Sequence, residues 1–172
     1  MFEKLKIVGV MGSGKQSHEN LAVPLGHLLA QKKCHVLNGA GKGTMTSVAK
    51  SYVQTSPRFG KIIGIIPCAD HGLTPKEGYP NPYVEITIYT PLPTHNLDDK
   101  DAVNRNHLNI MSSDLIIALP GTKGTKNEVD IVLTMKKPII GFGEEVQFEG
   151  FSSALEITNN LHKIEKFIDS HL

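Results

Sequence analysis

The sequence contains no tryptophan, only two cysteines and no long apolar run. Its 172 residues carry 18 basic and 17 acidic side chains, so the formal net charge is only +1. General nucleic-acid-binding proteins normally have a strong basic excess, which argues against that class. The apolar stretches are far too short to span a bilayer, and the segment MFEKLKIVGV lacks the long apolar core of a signal peptide. We therefore expect a cytoplasmic protein that binds neither nucleic acid nor membranes.

The side chains that commonly hold metal ions are scattered along the chain. Cys34 and Cys68 lie far apart and do not have the spacing of a metal site, which fits a reduced compartment. The eight histidines show no ligand pattern either. The sequence therefore predicts no metal site.

Strand and helix patterns alternate along the chain. Short apolar or β-branched segments predict strands at residues 6–10, 35–37, 61–67, 83–89, 115–119 and 138–143. Apolar residues at helical spacing predict helices at residues 19–32, 45–53, 102–112, 125–135 and 152–168. This alternation is typical of a parallel sheet covered by helices. We expect a single α/β domain over residues 1–172, a Rossmann-like three-layer sandwich with a central parallel sheet and helices on both faces.

Glycine-rich turns follow three of the predicted strands, after Val10, Leu37 and Leu119. In open α/β sheets, ligands bind in the crevice beyond the carboxyl ends of the strands. Three such turns would gather at one edge of the sheet. Their convergence is a stronger indication of a ligand site than any single turn.

The first turn superficially resembles a phosphate-binding P-loop. Residues 9–16 read GVMGSGKQ, but Gln16 stands where a P-loop has the serine or threonine that binds Mg²⁺. No aspartate at the end of a later apolar strand completes such a site, so an ATPase is not expected. The small residues Gly12 and Ser13 instead predict a close approach of the backbone to a ligand. The alternative is a tight strand-to-helix turn without ligand contact.

The second turn, residues 38–45, reads NGAGKGTM. Its spacing matches neither a P-loop nor a dinucleotide fingerprint. Gly39, Gly43 and Met45 are the candidate binding positions, because glycine permits a close approach of the backbone. Glycines after a strand are common in any α/β fold, so this turn alone is a weak signal.

The third turn carries the most information. Residues 120–128 read PGTKGTKNE and connect an apolar strand to a predicted helix. Free backbone N–H groups at a helix start form a ready anion site. The candidate phosphate-binding residues are Gly121, Thr122, Lys123, Gly124 and Thr125.

Two charged residues accompany the third turn. Glu128 would lie beside a bound anion, and Arg105 stands where it could reach the same crevice. Together with the turn they suggest a nucleotide pocket with hydrolytic potential. The alternatives are a capping box between Thr125 and Glu128, and an Arg105 that is simply a solvated or salt-bridged helix residue.

These residues resemble the LOG-like superfamily, which includes cytokinin-activating phosphoribohydrolases and molybdenum-cofactor carrier proteins. Residues 120–128 are similar to its PGGxGTxxE fingerprint, and Arg105 lies nine residues before Asp114, as in the family pattern. Residues 38–45 are similar to its second signature, GGGxxGxM. The segment NPYV at residues 81–84, the pair Arg105-Asn106 and the run EVDIVLTMKKP look more like the carrier branch.

The resemblance implies functional roles as well as a fold. In phosphoribohydrolases the residues matching Arg105 and Glu128 are catalytic, and the glycine turn holds the 5′-phosphate. The family assembles as homodimers or homotetramers, and no resident cofactor is required. Three functions are open: binding of a purine nucleoside monophosphate with hydrolysis of its N-glycosidic bond, non-catalytic carriage of molybdenum cofactor or another phosphorylated pterin, and nucleotide sensing by an oligomer.

The chain departs from the family pattern at several positions. Thr122 replaces the second glycine of PGG, and its Cβ would narrow the phosphate cradle or move its backbone. Asn38 and Ala40 replace glycines of the second signature. Residues 91–102 form a longer segment than in the carrier branch, and residues 91–101 are a candidate lid. Lysine decarboxylation, a name once attached to this family, is not supported, because no lysine lies in a pyridoxal-phosphate context.

Overall fold

The computed structural model describes residues 4–69, 74–94 and 102–172. Apolar segments form the strands, which are β1 (Lys6–Met11), β2 (Cys34–Asn38), β3 (Ile62–Ala69), β4 (Thr74–Pro75), β5 (Ile86–Thr90), β6 (Leu115–Ala118), β7 (Ile139–Phe142) and β8 (Ile157–Thr158). The helices are α1 (Glu19–Ala30), α2 (Thr44–Gln54), α3 (Arg105–Met111), α4 (Lys123–Thr134) and α5 (Leu161–Asp169), with a short 3-10 helix at Glu145–Phe148.

The strands form one mostly parallel sheet. Its order is β5-β3-β2-β1-β6-β7-β8, and the short β4 pairs antiparallel with the end of β3. The chain builds outward from β1 through β2 and β3, and then continues on the other side of β1 with β6. The order therefore reverses between β1 and β6, and this switch point is where such sheets form a ligand crevice. The arrangement confirms the predicted Rossmann-like α/β fold.

Alternating residues of the central strands fill cores on the two faces of the sheet. Val8 and Val10 of β1 belong to the larger core, which also contains apolar residues of α1, α2 and α5. Met11 belongs to the core on the opposite face, with Ile110 of α3 and Val132 of α4. Side chains alternate between the two faces of a strand, so a strand covered on both faces reads as a continuous apolar run.

Asp114 joins the two strands at the switch point. Its Oδ2 accepts a hydrogen bond from the backbone N–H of Ile7 at 2.8 Å, and its own N–H donates to the Ile7 carbonyl at 2.8 Å. The register of β1 against β6 then runs from Val8 opposite Leu115 to Met11 opposite Ala118. Asp114 thus aligns the two strands from which the first and third turns emerge.

Several element boundaries differ from the sequence expectations. The predicted helix at residues 152–168 is wrong over its first half, where β8 forms instead, and α5 begins only after Asn160, whose side chain accepts from His162 N–H. Likewise α3 begins at Arg105 rather than at residue 102, because Asn104 caps it with a hydrogen bond from Asn106 N–H. The predicted strand at residues 83–89 is Ile86–Thr90 in the structure. Most of the candidate lid lies outside the described residues.

Within the described ranges, no helix has the length and apolar character needed to cross a membrane.

Candidate ligand-binding site

A cavity of about 330 Å³ opens at the switch point. All three glycine-rich turns contribute to it, together with the start of α3 and the loop before β5. The lining residues are Val10, Met11, Gly12, Ser13, Gly14, Lys15, Gly39, Met45, Tyr79, Thr94, Arg105, Asn106, Thr122, Gly124, Thr125 and Glu128. Of the predicted site residues, the lining contains Gly12, Ser13, Gly39, Met45, Arg105, Thr122, Gly124, Thr125 and Glu128.

The start of α4 forms one wall of the cavity. The first α-helical bond runs from Lys126 N–H to the Thr122 carbonyl at 2.9 Å, so the preceding amides of the first turn have no intrahelical acceptor. A Cβ built on Gly124 would meet no atom within 4 Å, which shows open space beside this residue. Helix-start amides without an intrahelical acceptor, next to open space, are suited to hold an anion.

The helix start differs from the expectation. Thr122, not Thr125, occupies the N-cap position, and its side chain makes no capping hydrogen bond. Thr125 lies within the first turn, is 3% exposed, and packs its hydroxyl against Gly121. Glu128 consequently falls in the second turn, so the alternative of a capping box between Thr125 and Glu128 is wrong. Thr122 adopts φ −115°, a value that residues with a Cβ accept, so the fold does not require glycine there.

Glu128 lies at the floor of the cavity with 7% of its surface exposed. Its Oε1 accepts a hydrogen bond from Asn109 Nδ2 at 3.1 Å. Burial raises the pKa of this carboxyl to about 7, and the charge of Arg105 and the Asn109 hydrogen bond only partly oppose that rise. Glu128 therefore changes charge near neutral pH.

Arg105 is buried beside Glu128, so the alternative of a solvated Arg105 is wrong. Its Nη1 donates to the Gly39 carbonyl at 2.6 Å and to the Ile65 carbonyl at 3.4 Å. These bonds tie α3 to the second turn and to β3. Within the described residues, the buried Nε of Arg105 has no hydrogen-bond partner, and neither has Oδ1 of Asn109. Arg105, a lining residue, thus keeps one N–H donor unused.

Ser13 holds the first turn against the other two. Its Oγ accepts from the backbone N–H groups of Lys15 at 3.1 Å and Gln16 at 3.0 Å. Its N–H donates to the Pro120 carbonyl at 3.2 Å, and its carbonyl accepts from Thr44 N–H at 2.9 Å. The Ser13 hydroxyl therefore shapes the turn, and the turn brings Lys15 to the cavity.

Three residues expected at the site do not line it. Gly43 has φ +64°, and a Cβ there would collide with the carbonyl oxygens of Ser13 and Gln16. Close packing between the first and second turns thus explains why residue 43 is a glycine. Gly121 packs against the Thr125 side chain, and the Lys123 side chain is exposed to solvent. Fewer residues therefore line the cavity than the expected set of phosphate-binding residues contains.

Comparison with known proteins places the chain in a family. The model of the SLOG cluster4 family matches residues 5–168. The chain belongs to the SLOG cluster4 family. An uncharacterized protein of Archaeoglobus fulgidus is 28% identical over 149 residues, 86% of each chain.

Solved structures share the fold of this SLOG protein. The molybdenum cofactor binding protein of Rippkaea orientalis has a TM-score of 0.74 and 26% sequence identity, over 98% of each chain. The molybdenum cofactor carrier protein of Chlamydomonas reinhardtii has a TM-score of 0.72 and 21% identity, over 97% of this chain and 98% of that one. Proteins of this fold therefore include molybdenum cofactor carriers.

The structure of this SLOG protein adds site residues that the sequence analysis missed. Asn106 lines the cavity and donates to Asn127 Oδ1 at 2.9 Å, and Asn109 supports Glu128 from behind. Both follow Arg105 on α3, at positions one and four residues later. Polar residues at this helical spacing, on a helix that is expected to face the sheet, are a signal that the sequence alone contains. Tyr79 had no such signal, because it reaches the cavity from an irregular loop.

Proposed function

We propose that this chain binds a small phosphorylated ligand and acts as a carrier of molybdenum cofactor or another phosphorylated pterin. The observation that carries the proposal is the start of α4, whose first amides have no intrahelical acceptor and where open space lies beside Gly124 in the switch-point cavity. The similarity of the whole chain to two molybdenum cofactor proteins supports the same ligand class.

The charges around the cavity favour an anionic ligand. Lys15 and Arg105 contribute positive charge. Among the described lining residues, Glu128 is the single carboxyl, and burial raises its pKa to about 7. The two cations outnumber this carboxyl, so the lining carries a net positive charge whether or not Glu128 is ionised, and this charge attracts a phosphate group.

Hydrolysis of the N-glycosidic bond of a purine nucleoside monophosphate is the second candidate. It is favoured by Glu128, which lies in the cavity where a carboxylate would stabilise a ribosyl cation or orient water. One feature favours carriage over catalysis. A carboxyl that is partly neutral at pH 7 stabilises a developing cation less than an ionised carboxylate does.

One experiment separates the two candidates. The protein is incubated in parallel with a pterin phosphate and with a panel of nucleoside monophosphates. Protein-bound pterin is then measured by fluorescence after gel filtration, and free base is measured by chromatography. We expect bound pterin and no released base. Base release by the wild type that is lost in Glu128→Ala would instead establish the hydrolase. The absence of both bound pterin and released base would contradict both candidates.

The assembly of the protein is part of the proposal. The LOG-like resemblance supports a homodimer or homotetramer, and gel filtration in the same experiment measures its size. A change of size that requires the ligand would support the nucleotide-sensing alternative.

A further inference from the structure

We propose that Tyr79 is the stacking surface for the planar ring of the ligand and so selects a purine-like or pterin-like heterocycle. This inference rests on the proposed phosphate site, which lies at the other side of the same cavity. Tyr79 enters from the β2–β3 side of the switch point, whereas Gly124 follows β6. A ligand with a ring on one side and a phosphate on the other would span the cavity.

The Tyr79 ring and the Met45 side chain pack on the same glycine. A Cβ on Gly41 would lie 3.2 Å from both Cε1 and Oη of Tyr79, and 2.8 Å from Cε of Met45. The Met45 sulfur also lies 3.4 Å from the Gly41 backbone nitrogen. Because Gly41 has no side chain, an aromatic ring and a thioether can both approach this turn. Together they give the cavity an apolar wall suited to a flat ring.

The loop that carries Tyr79 is fastened to the second turn. Asn81 N–H donates to the Ala40 carbonyl at 2.8 Å, and Asn81 Nδ2 donates to the Gly41 carbonyl at 3.0 Å. Asn81 is 4% exposed, so both bonds are shielded from water. The ring is therefore positioned before the ligand arrives, which lowers the entropy cost of binding.

Arg105 contacts the Tyr79 ring. Its guanidinium carbon lies 5.8 Å from the centre of the Tyr79 ring, within the range of a cation–π contact. The 2.6 Å hydrogen bond from Arg105 to Gly39 holds the guanidinium in place. Tyr79 remains half-buried, so part of its aromatic surface is available to a ligand.

The test compares two probes that share a phosphate and a ribose. Guanosine 5′-monophosphate carries a ring with the same amino-oxo-pyrimidine edge as a pterin, and ribose 5-phosphate carries no ring. Dissociation constants are measured by equilibrium dialysis, with a chromatographic check that the nucleotide stays intact. The variants are Tyr79→Ala, the conservative Tyr79→Phe, and Tyr89→Ala as a control at an exposed tyrosine outside the cavity.

We expect Tyr79→Ala to raise the dissociation constant of the nucleotide about tenfold or more, the loss typical of one stacked base. The constant for ribose 5-phosphate should stay within about twofold, which also shows that the variant is folded. Tyr79→Phe and Tyr89→Ala should bind both probes as the wild type does.

Other results would overturn the inference. Equal weakening of both probes in Tyr79→Ala would make Tyr79 a structural residue, and an unchanged nucleotide affinity would remove its role. Wild type that binds ribose 5-phosphate as tightly as the nucleotide would reject a ring site while leaving the phosphate site intact. Wild type that binds neither probe would overturn the phosphate site, and this inference with it.

Discussion

Asn109 Nδ2 donates a hydrogen bond to Glu128 Oε1 across 3.1 Å and so connects α3 with α4 beneath the cavity. Asn109 is completely buried, and Glu128 is 7% exposed. The position and the charge of the one carboxyl in the described lining therefore depend on a residue of the neighbouring helix. This relationship links the stability of the protein to the protonation of its candidate site.

Glu128→Gln should make the protein less sensitive to alkaline pH. The pKa of Glu128 is raised from 4.5 to about 7 by burial, so the folded state binds this proton more tightly than the unfolded state. Its stabilising contribution is present below pH 4.5 and is lost as the pH rises to about 7, a total on the order of 3 kcal/mol. Glutamine cannot ionise, so the variant should exceed the wild type in free energy of unfolding at pH 8.

Urea denaturation at pH 4.5 and pH 8 measures this difference. The matched control is Asp130→Asn, an exposed acid on the same helix, which should follow the wild type at both values. Parallel pH profiles for Glu128→Gln and the wild type would contradict a raised pKa.

Gly124→Ala should weaken ligand binding without weakening the fold. The new Cβ meets no protein atom within 4 Å, and alanine stabilises a helix interior by roughly 1 kcal/mol relative to glycine. The same methyl group would occupy the space in which we place the phosphate. We expect an unchanged or slightly higher Tm and at least about a tenfold loss of affinity for ribose 5-phosphate, as one lost charge-assisted hydrogen bond is worth roughly 1.5–3 kcal/mol.

The control for this substitution is Lys126→Ala, an exposed residue of the same helix. Binding of ribose 5-phosphate to Gly124→Ala at wild-type affinity would place the phosphate elsewhere. A fall in Tm would show that the space beside Gly124 is not free.

Lys137→Met should destabilise the protein by about 1–3 kcal/mol, the usual cost of losing hydrogen bonds to a charged group. Lys137 Nζ donates to the carbonyls of Ile110 at 2.9 Å and Met111 at 3.0 Å, and also to that of Ser113. It thereby caps the C-terminal end of α3, where a positive charge is favourable. Thermal unfolding measures the loss, with the exposed Lys126→Met as the control. A variant as stable as the wild type would show that water replaces the lysine at no cost.

Glu85→Gln should reduce stability at neutral pH but not in strong acid. Burial raises the pKa of Glu85, but hydrogen bonds from Arg58, the Ile62 amide and Lys61 outweigh it and lower the pKa from 4.5 to about 2. Both Arg58 bonds are 2.7 Å long. The stabilising contribution of the ionised Glu85 is present above pH 4.5 and is lost as the pH falls towards 2.

The expected loss in Glu85→Gln is about 1–2 kcal/mol at pH 7, since solvent partly screens the pair. The salt guanidinium chloride, used as denaturant, would screen the Arg58–Glu85 pair further. Urea denaturation at pH 7 and pH 2.5 is therefore the suitable measurement. Equal losses at both values would show that the carboxylate charge is not the cause.

The sequence predicted most elements because local chemistry decides them. The apolar segments around Val8, Ile65 and Ile117 become strands covered on both faces, and the glycine turns after β1, β2 and β6 lie at one edge of the sheet. The start of α4 was misplaced because Thr125 looks like an N-cap, whereas the backbone already turns into the helix at Thr122. The two-residue strand β8 was not predicted because it forms only by pairing with β7, a contact that its own sequence does not show.

The sequence by itself determined the alternation of strands and helices, the three turns, and the presence of Arg105 and Glu128 near the third turn. Only the tertiary structure decided what those residues do, because burial and non-local contacts set their chemistry. Arg105 is bonded to carbonyls of β3 and the second turn, and Glu128 is bonded to Asn109 of another helix. Tyr79 reaches the cavity through bonds between its loop and the second turn. Contacts between segments this far apart along the chain leave no local pattern, so the packed fold was needed to reveal them.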